Sequence, residues 1–125
     1  MLNCGDTFYA ADTEDDEPHL CIVITPPEVG DVVVVSITTR RRKSETLVCL
    51  NVGDHPFIKH PSVIAYAYSR IRSVDEIELA LKSGNAKTRE PVSPELLRRI
   101  RAGLRDSDFT PNGVRHFYNS LEIED

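Results

Sequence analysis

The sequence predicts one β-rich α+β domain spanning residues 1–125, with β structure over residues 5–72 and a helical extension over residues 73–125. Short apolar segments rich in β-branched residues recur at close spacing in the first part of the chain, as is typical of strands. In the second part the apolar residues instead repeat every three to four positions and follow helix-capping patterns. The length of 125 residues fits a single domain.

Five strands are predicted in the first part. The second strand is apolar enough to be buried on both faces of a sheet. The third is a β-branched run, which favours a strand over a helix. Several short strands at this spacing indicate a barrel or a sandwich. The predicted strands cover about residues 6–10, 19–25, 32–39, 46–50 and 62–68, with residues 70–72 as an extension of the last.

Two or three helices are predicted in the second part. Ser73 begins a capping-box pattern, and Gly84 ends the first helix. Ser93 followed by Pro94 marks the start of a second helix, since proline is favoured at the first helical position. Pro111 marks the start of a third helix.

Charge is unevenly distributed along the chain. The net charge is −5, but residues 12–17 form an acidic cluster and residues 122–125 an acidic tail. Together these two segments carry eight carboxylates, so the remainder of the chain carries +3. Basic residues concentrate at 40–43 and 98–105. A local basic surface is therefore compatible with the acidic total.

Two function classes are disfavoured by the sequence. Apolar runs such as residues 20–24 and 32–35 are strand-sized and too short to span a bilayer. The start of the sequence shows no charged region followed by an apolar stretch, so no secretion signal is predicted. Three cysteines without C-x-x-C spacing argue against a disulfide framework. We therefore expect a cytoplasmic protein with no membrane partner.

The first candidate site follows the third predicted strand. Thr38 and Thr39 are followed there by Arg40 and Arg41. Hydroxyl groups and the forked guanidinium group both suit a phosphate. Strand ends also place side chains on a rigid edge, where sites are commonly built. The alternative interpretation is a solubilising loop beyond a hydrophobic strand.

The second candidate site is a proline-flanked segment with His55, Lys59 and His60. Histidine exchanges a proton near neutral pH, and lysine holds an anion. RNA cleavage without a metal needs a base for the 2′-hydroxyl, an acid for the leaving oxygen and cations for the phosphorane. This segment, with Arg40 or Arg41, offers those groups. The alternative is a rigid turn whose histidines cap backbone groups.

A third candidate site lies just before the second strand, where Glu17 and His19 flank a proline. Glu17 is suited to act as a base or to accept an arginine, and the alternative is a solvated acidic loop. No histidine or cysteine pair shows a zinc spacing, and no glycine-rich phosphate loop or nucleophile elbow is present. We therefore predict no metal and no cofactor.

The order of these segments resembles that of a known family. Gly5-Asp6 opens a strand, a charged loop follows, and an apolar strand then covers residues 19–24, as at the start of the MazF/PemK toxins of type II toxin–antitoxin systems. The strand ending in Thr38-Thr39 resembles the family's third strand, and residues 62–65 followed by Arg70-Ile71 resemble a later one. The resemblance covers about residues 5–83.

The resemblance implies an SH3-like barrel with short helices, usually as a homodimer. It also implies metal-independent cleavage of single-stranded RNA and neutralisation by an antitoxin. By position it points to Glu17, Thr39 and one of Arg40 or Arg41. The chain departs from the family pattern where Pro18-His19 replaces arginine followed by proline, and residues 55–60 have no evident counterpart.

Two functional hypotheses follow. In the first, the protein is a toxin-like endoribonuclease; in the second, it is a non-catalytic SH3-like barrel that binds a protein or nucleic-acid partner. The first hypothesis assigns catalysis to His55, His60, Arg40 and Glu17, and substrate binding to Thr38, Thr39, Arg41, Lys59 and His19.

Overall fold

The computed structural model of the protein describes residues 1–11, 17–42 and 44–124. The acidic cluster predicted at residues 12–17 therefore lies outside the described residues except for Glu17, as do Lys43 and Asp125. Within the described ranges the chain forms strands β1 (Thr7–Ala10), β2 (His19–Val23), β3 (Asp31–Thr39), β4 (Cys49–Leu50), β5 (Ser62–Ile64), β6 (Arg70–Ser73) and β7 (Lys87–Arg89), and helices α1 (Val74–Ser83), α2 (Pro94–Asp106) and α3 (Asn112–Ser120).

The strands form one antiparallel sheet in the order β4-β5-β3-β2-β1-β7, and β6 pairs with β3. The nine-residue β3 pairs with β2 along one edge and with both β5 and β6 along the other. The end strands β4 and β7 do not pair with each other in the described part of the chain, so the sheet is open. The predicted combination of a β-rich first part with helices after it is confirmed, whereas closure into an SH3-like barrel is not.

Side-chain alternation along the strands divides the core between the two faces of the sheet. On one face, called the α2 face, Ile22 and its cross-strand partner Val35 pack in a cluster with Ile100 of α2. On the other, called the α1 face, Val23 and Val34 pack with Ile77 of α1. Because both faces are covered here, β2 and the central part of β3 are apolar at consecutive positions, as predicted for the second strand.

The apolar run at residues 62–68 differs from the prediction of a single strand. It is a strand only to Ile64, and a 3-10 helix then covers Tyr66–Tyr68. The reason lies in β3, because β5 pairs with its end and β6 with its beginning. Residues 66–69 leave the sheet between those two pairings. Tyr66 turns into the core there, where its hydroxyl donates to the carbonyl of Ile100 at 2.8 Å.

The segment after residue 73 contains a strand as well as helices. The Ser73 hydroxyl caps α1 by accepting from the amide of Glu76, and the Ser93 hydroxyl caps α2 in the same way, so both predicted starts are confirmed. Between these helices β7 pairs with β1, which the helical interpretation of residues 73–125 omitted. None of the helices among the described residues has the length and apolar character needed to cross a membrane.

Candidate active site

Four strand ends meet at one edge of the sheet, which we call the rim. Ala10 at the end of β1 pairs with His19 at the start of β2. Leu20 pairs with Ile37, so continuing this register by one residue sets His19 opposite Thr38. Thr39 at the end of β3 pairs in turn with Ser62 at the start of β5. Antiparallel register therefore brings the ends of four strands together at the rim.

A pocket of about 370 Å³ opens at the rim, and we call it the rim pocket. Its inner wall is the end of the α2 face, with Leu20 and Ile37, and its outer wall is the loop that joins β4 to β5. Seven of the nine residues proposed from the sequence line it: Glu17, His19, Thr38, Thr39, Arg41, Lys59 and His60.

Short hydrogen bonds place the polar residues of the rim pocket. The Ser62 hydroxyl donates to the carbonyl of His60 at 2.8 Å, which ties the loop to β5. The amide of Arg41 donates to the Ser44 hydroxyl at 2.7 Å, which forms a tight turn after β3. The side chains of both His60 and Arg41 are exposed. The backbone is thus held while the imidazole and the guanidinium group face solvent.

The predicted role of His55 in this site does not agree with its position. Its side chain is 3% exposed and is not part of the pocket lining. Nδ1 accepts from the amide of Phe57 at 3.0 Å, and Nε2 lies 2.5 Å from the carbonyl oxygen of Glu90. Thr7 donates to that same carbonyl at 2.7 Å. With both nitrogens engaged by backbone, the ring joins the loop to the segment after β7.

Arg40 is the other predicted residue that lies outside the pocket lining. Its amide donates to the carbonyl of Pro61 at 2.9 Å, which continues the pairing of β3 with the start of β5. Alternation along β3 then directs successive side chains to opposite sides. Of the two arginines left open by the sequence, Arg41 is the one that lines the pocket.

Sequence reasoning missed an aromatic wall. Tyr9 of β1 and Phe57 of the loop line the rim pocket with ring centroids 5.0 Å apart. The Arg89 guanidinium carbon lies 5.8 Å from the Tyr9 centroid and 5.5 Å from that of Phe57. These residues come from three distant segments, so no spacing in the sequence could reveal them. The one usable signal was alternation on β1, which sets Tyr9 on the face opposite the core residue Phe8.

The chemistry of the pocket favours an anion. Two imidazoles, one guanidinium group and one ammonium group share the lining with a single carboxylate, that of Glu17. Thr38 and Thr39 add two hydroxyl groups. Guanidinium and hydroxyl donors suit phosphate oxygens, and imidazoles suit proton transfer. Among the described residues, no group of three or more histidine, cysteine or acidic side chains is arranged to hold a metal ion.

No protein-family model and no curated protein matches the sequence. Solved structures do match. MazE-MazF from Deinococcus radiodurans (Form-III) is 16% identical with a TM-score of 0.57, over 82% of this chain and 92% of that chain. An endoribonuclease in complex with its cognate antitoxin, from mycobacterial species, is 16% identical with a TM-score of 0.55, over 83% of this chain and 91% of that one. The chain has a MazF-like fold.

The MazF-like fold supports the resemblance seen in the sequence and extends it. The matched share of 82% exceeds the stretch of residues 5–83 that the sequence suggested. At 16% identity, the structural similarity shows only that the strands and helices are arranged in the same way. The activity of this chain has to be argued from its own pocket.

Proposed function

We propose that this chain is a toxin-like endoribonuclease that cleaves single-stranded RNA at the rim pocket without a metal ion. The observation that carries the proposal is the convergence of two imidazoles, two cations and two hydroxyl groups in one pocket of a MazF-like fold. Each component of metal-free phosphodiester cleavage has a candidate group among these side chains.

The reaction needs two proton transfers. A base removes the proton of the 2′-hydroxyl, O2′ forms a bond to phosphorus, and the bond from phosphorus to O5′ breaks. An acid returns a proton to O5′, so the products are a 2′,3′-cyclic phosphate and a 5′-hydroxyl end. His19 and His60 come from different elements and line the same pocket, so we assign these two roles to them, with Glu17 as a further candidate base.

The negative charge of the phosphorane requires fixed donors. We assign this role to Arg41 and Lys59, with the hydroxyl groups of Thr38 and Thr39 as additional donors. The arginine fork can contact two phosphate oxygens at once, whereas lysine acts as a point charge. Donors that are already in place when charge develops supply much of the rate enhancement in such sites.

The aromatic wall favours unpaired RNA. The faces of Tyr9 and Phe57 can contact a base or ribose only when the base is not stacked in a duplex. We also extend three properties implied by the resemblance to this chain: a homodimer, an SH3-like curvature of the open sheet and a cytoplasmic location. An antitoxin protein is proposed as a partner, because the similar structures include MazE with MazF and an endoribonuclease with its cognate antitoxin.

The proposal is tested by incubating the purified protein with end-labelled single-stranded RNA in EDTA. We expect cleavage products that end in a 2′,3′-cyclic phosphate. His19→Ala and His60→Ala should each lower the rate by about 10²–10⁴-fold, because each removes a proton-transfer group. His116→Ala is the matched control, since His116 is an exposed histidine of α3 outside the pocket.

Two results would contradict the mechanism. RNA that binds tightly but yields no products from the wild-type protein would favour the non-catalytic binding module. Cleavage at the wild-type rate by both histidine variants would exclude the assigned proton transfers. His55→Ala separates catalysis from structure: we expect it to lower stability while the rate per folded molecule is retained, because His55 contacts backbone rather than the pocket.

A further inference from the structure

A second pocket adjoins the rim pocket on the α1 face of the sheet. It has a volume of about 350 Å³, and we call it the flank pocket. Glu17, His19 and Thr38 line both pockets. The two hollows therefore lie on the two faces of the same sheet edge, with a shared wall between them. A chain-like ligand that crosses the rim would contact both.

The floor of the flank pocket is part of the sheet itself. Cys21 pairs with Ser36, and Ala10 pairs with His19. Residues directly opposite each other, or two apart along a strand, lie on the same face. Further from the rim this face carries Val23, which packs against α1. Near the rim it carries Ala10, Cys21 and Ser36, whose small side chains leave the hollow open.

An exposed aromatic side chain borders this hollow. Tyr68 lines the flank pocket with 72% of its surface accessible. Its backbone is fixed, because its amide donates to the carbonyl of Ala65 at 3.1 Å. The neighbouring Tyr66 anchors the same 3-10 helix in the core, and Ser69 donates to the Tyr66 carbonyl at 2.7 Å. Tyr68 is thus an exposed ring on a rigid support.

We propose that the flank pocket binds the nucleobase adjacent to the phosphate held in the rim pocket, with Tyr68 as its stacking partner. This inference rests on the proposed function. The shared wall of His19 and Thr38 sets the two pockets side by side, as a phosphate and a neighbouring base are in a nucleotide chain. The volume of about 350 Å³ lies within the range of small-molecule sites.

The lining chemistry supports a base over an aliphatic group. An aromatic ring stacks on any nucleobase, because every base has a π face. The Ser36 hydroxyl can both donate and accept, which suits the polar edge of a base. Arg70, half-buried, adds a cation to the same lining. The subsite should therefore require a base while tolerating several base identities.

The experiment compares RNA oligonucleotides that carry one abasic site, moved stepwise along the positions flanking the cleaved bond. With the wild-type protein, one abasic position should lower the cleavage rate at limiting substrate by about 5- to 150-fold, the range expected for loss of one stacked base. Tyr68→Ala should cause a loss of similar size on intact RNA and little further loss on the abasic one. Tyr68→Phe should retain most of the rate, because the ring remains.

Phe109→Ala serves as the matched control, because Phe109 is also an exposed aromatic residue, at 62%, and lines neither pocket. Binding is measured in parallel with an oligonucleotide that has 2′-deoxyribose at the cleaved position, and Tyr68→Ala should weaken it by the same factor. The subsite alone is overturned if Tyr68→Ala cleaves intact RNA at the wild-type rate and no abasic position slows cleavage by the wild-type protein. If the wild-type protein neither cleaves nor binds RNA, the proposed function and the subsite are both overturned.

Discussion

The rim pocket and the interior side of α2 use the same kinds of side chain in different ways. In α2, Arg101 donates from Nε to the carbonyl of Ile24 at 2.8 Å, and its Nη2 lies 2.7 Å from Cys4 Sγ. At the rim, the side chain of Arg41 is exposed and lines a pocket. Both arginines belong to basic clusters that are alike in sequence. The comparison shows that Arg101 fastens α2 to the sheet, whereas Arg41 lines the proposed ligand site.

This contrast implies that changes at the rim affect activity, whereas changes at α2 affect stability. Polar groups at α2 satisfy backbone carbonyls in the interior, so their loss leaves buried acceptors without donors. Polar groups at the rim face water in the free protein, so their loss costs little folding energy. The four predictions below test this separation.

The largest effect is expected from Arg41→Ala. It should lower the cleavage rate by about 10²–10³-fold, because a fixed donor to the phosphorane is removed. The free energy of unfolding should change by less than about 0.5 kcal/mol, since the side chain is exposed. Single-turnover kinetics and urea unfolding measure the two quantities. Arg98→Ala, an exposed arginine of α2 outside the pocket, is the control. A large loss of stability in Arg41→Ala would break the separation.

Gly103→Ala should give the largest loss of stability. Gly103 is a buried residue of α2, and an added Cβ would lie 2.7 Å from Cζ of Tyr66 and 2.8 Å from Cγ2 of Val48. We expect a cost of about 1–3 kcal/mol or more from overpacking. Gly113→Ala in α3 is the matched control, because its Cβ would meet open space, and it should stabilise the helix by about 0.5–1 kcal/mol. Equal effects in urea unfolding would contradict this account.

Arg101→Ala should cost about 1–3 kcal/mol of unfolding free energy, because the carbonyl of the fully buried Ile24 loses a charged donor. Arg101→Lys should restore only part of this stability, since lysine lacks the planar fork that reaches two partners. Urea unfolding measures both variants. The cleavage rate per folded molecule should remain that of the wild type, and a selective loss of rate would place Arg101 in the functional site.

The smallest effect concerns pH. Burial, and to a lesser extent the charge of Glu45, raises the pKa of Tyr66 above its ordinary value of 10.0. The neutral phenol is therefore favoured in the folded state, and its contribution to stability is complete below pH 10 and falls as pH rises above it. Tyr66→Phe should cost about 0.5–1.5 kcal/mol at neutral pH, through the lost hydrogen bond to Ile100. It should also flatten the alkaline decline, measured by urea unfolding at stepwise pH. If the free energy of unfolding of Tyr66→Phe falls with pH as steeply as that of the wild type, another group causes the loss of stability at alkaline pH.

Periodicity and capping predicted much of the fold, because those signals are local. The caps at Ser73 and Ser93 and the strands β1, β2 and β3 were all identifiable. Strand β7 was missed because its three residues are Lys87, Thr88 and Arg89, which carry no apolar pattern and are held by pairing with β1. An edge strand of this kind is defined by its partner, which the local sequence does not show.

The sequence predicted the types of residue in the site better than it predicted which individual residues line the pocket. Residue chemistry and the resemblance together pointed to seven residues that line the rim pocket, Arg41 and His60 among them. The same reasoning could not separate His60 from His55, because two histidines in one proline-flanked loop look equivalent until burial is known. The aromatic wall was missed because packing of distant segments forms it, and Tyr68 was missed because it lies in a 3-10 helix between β5 and β6.

Pairing of β1 with β7 also affects the order in which parts of the protein can fold during synthesis. Residues 7 and 89 are paired partners, so β1 stays without its second neighbour on a ribosome-bound chain until residue 89 has emerged. Arg89 of the same strand stacks on both rings of the aromatic wall. A nascent chain that stops before residue 89 already contains Tyr9 and Phe57 but lacks the guanidinium group that lies over both rings. Support of the aromatic wall by Arg89 therefore forms later in synthesis than the wall residues themselves.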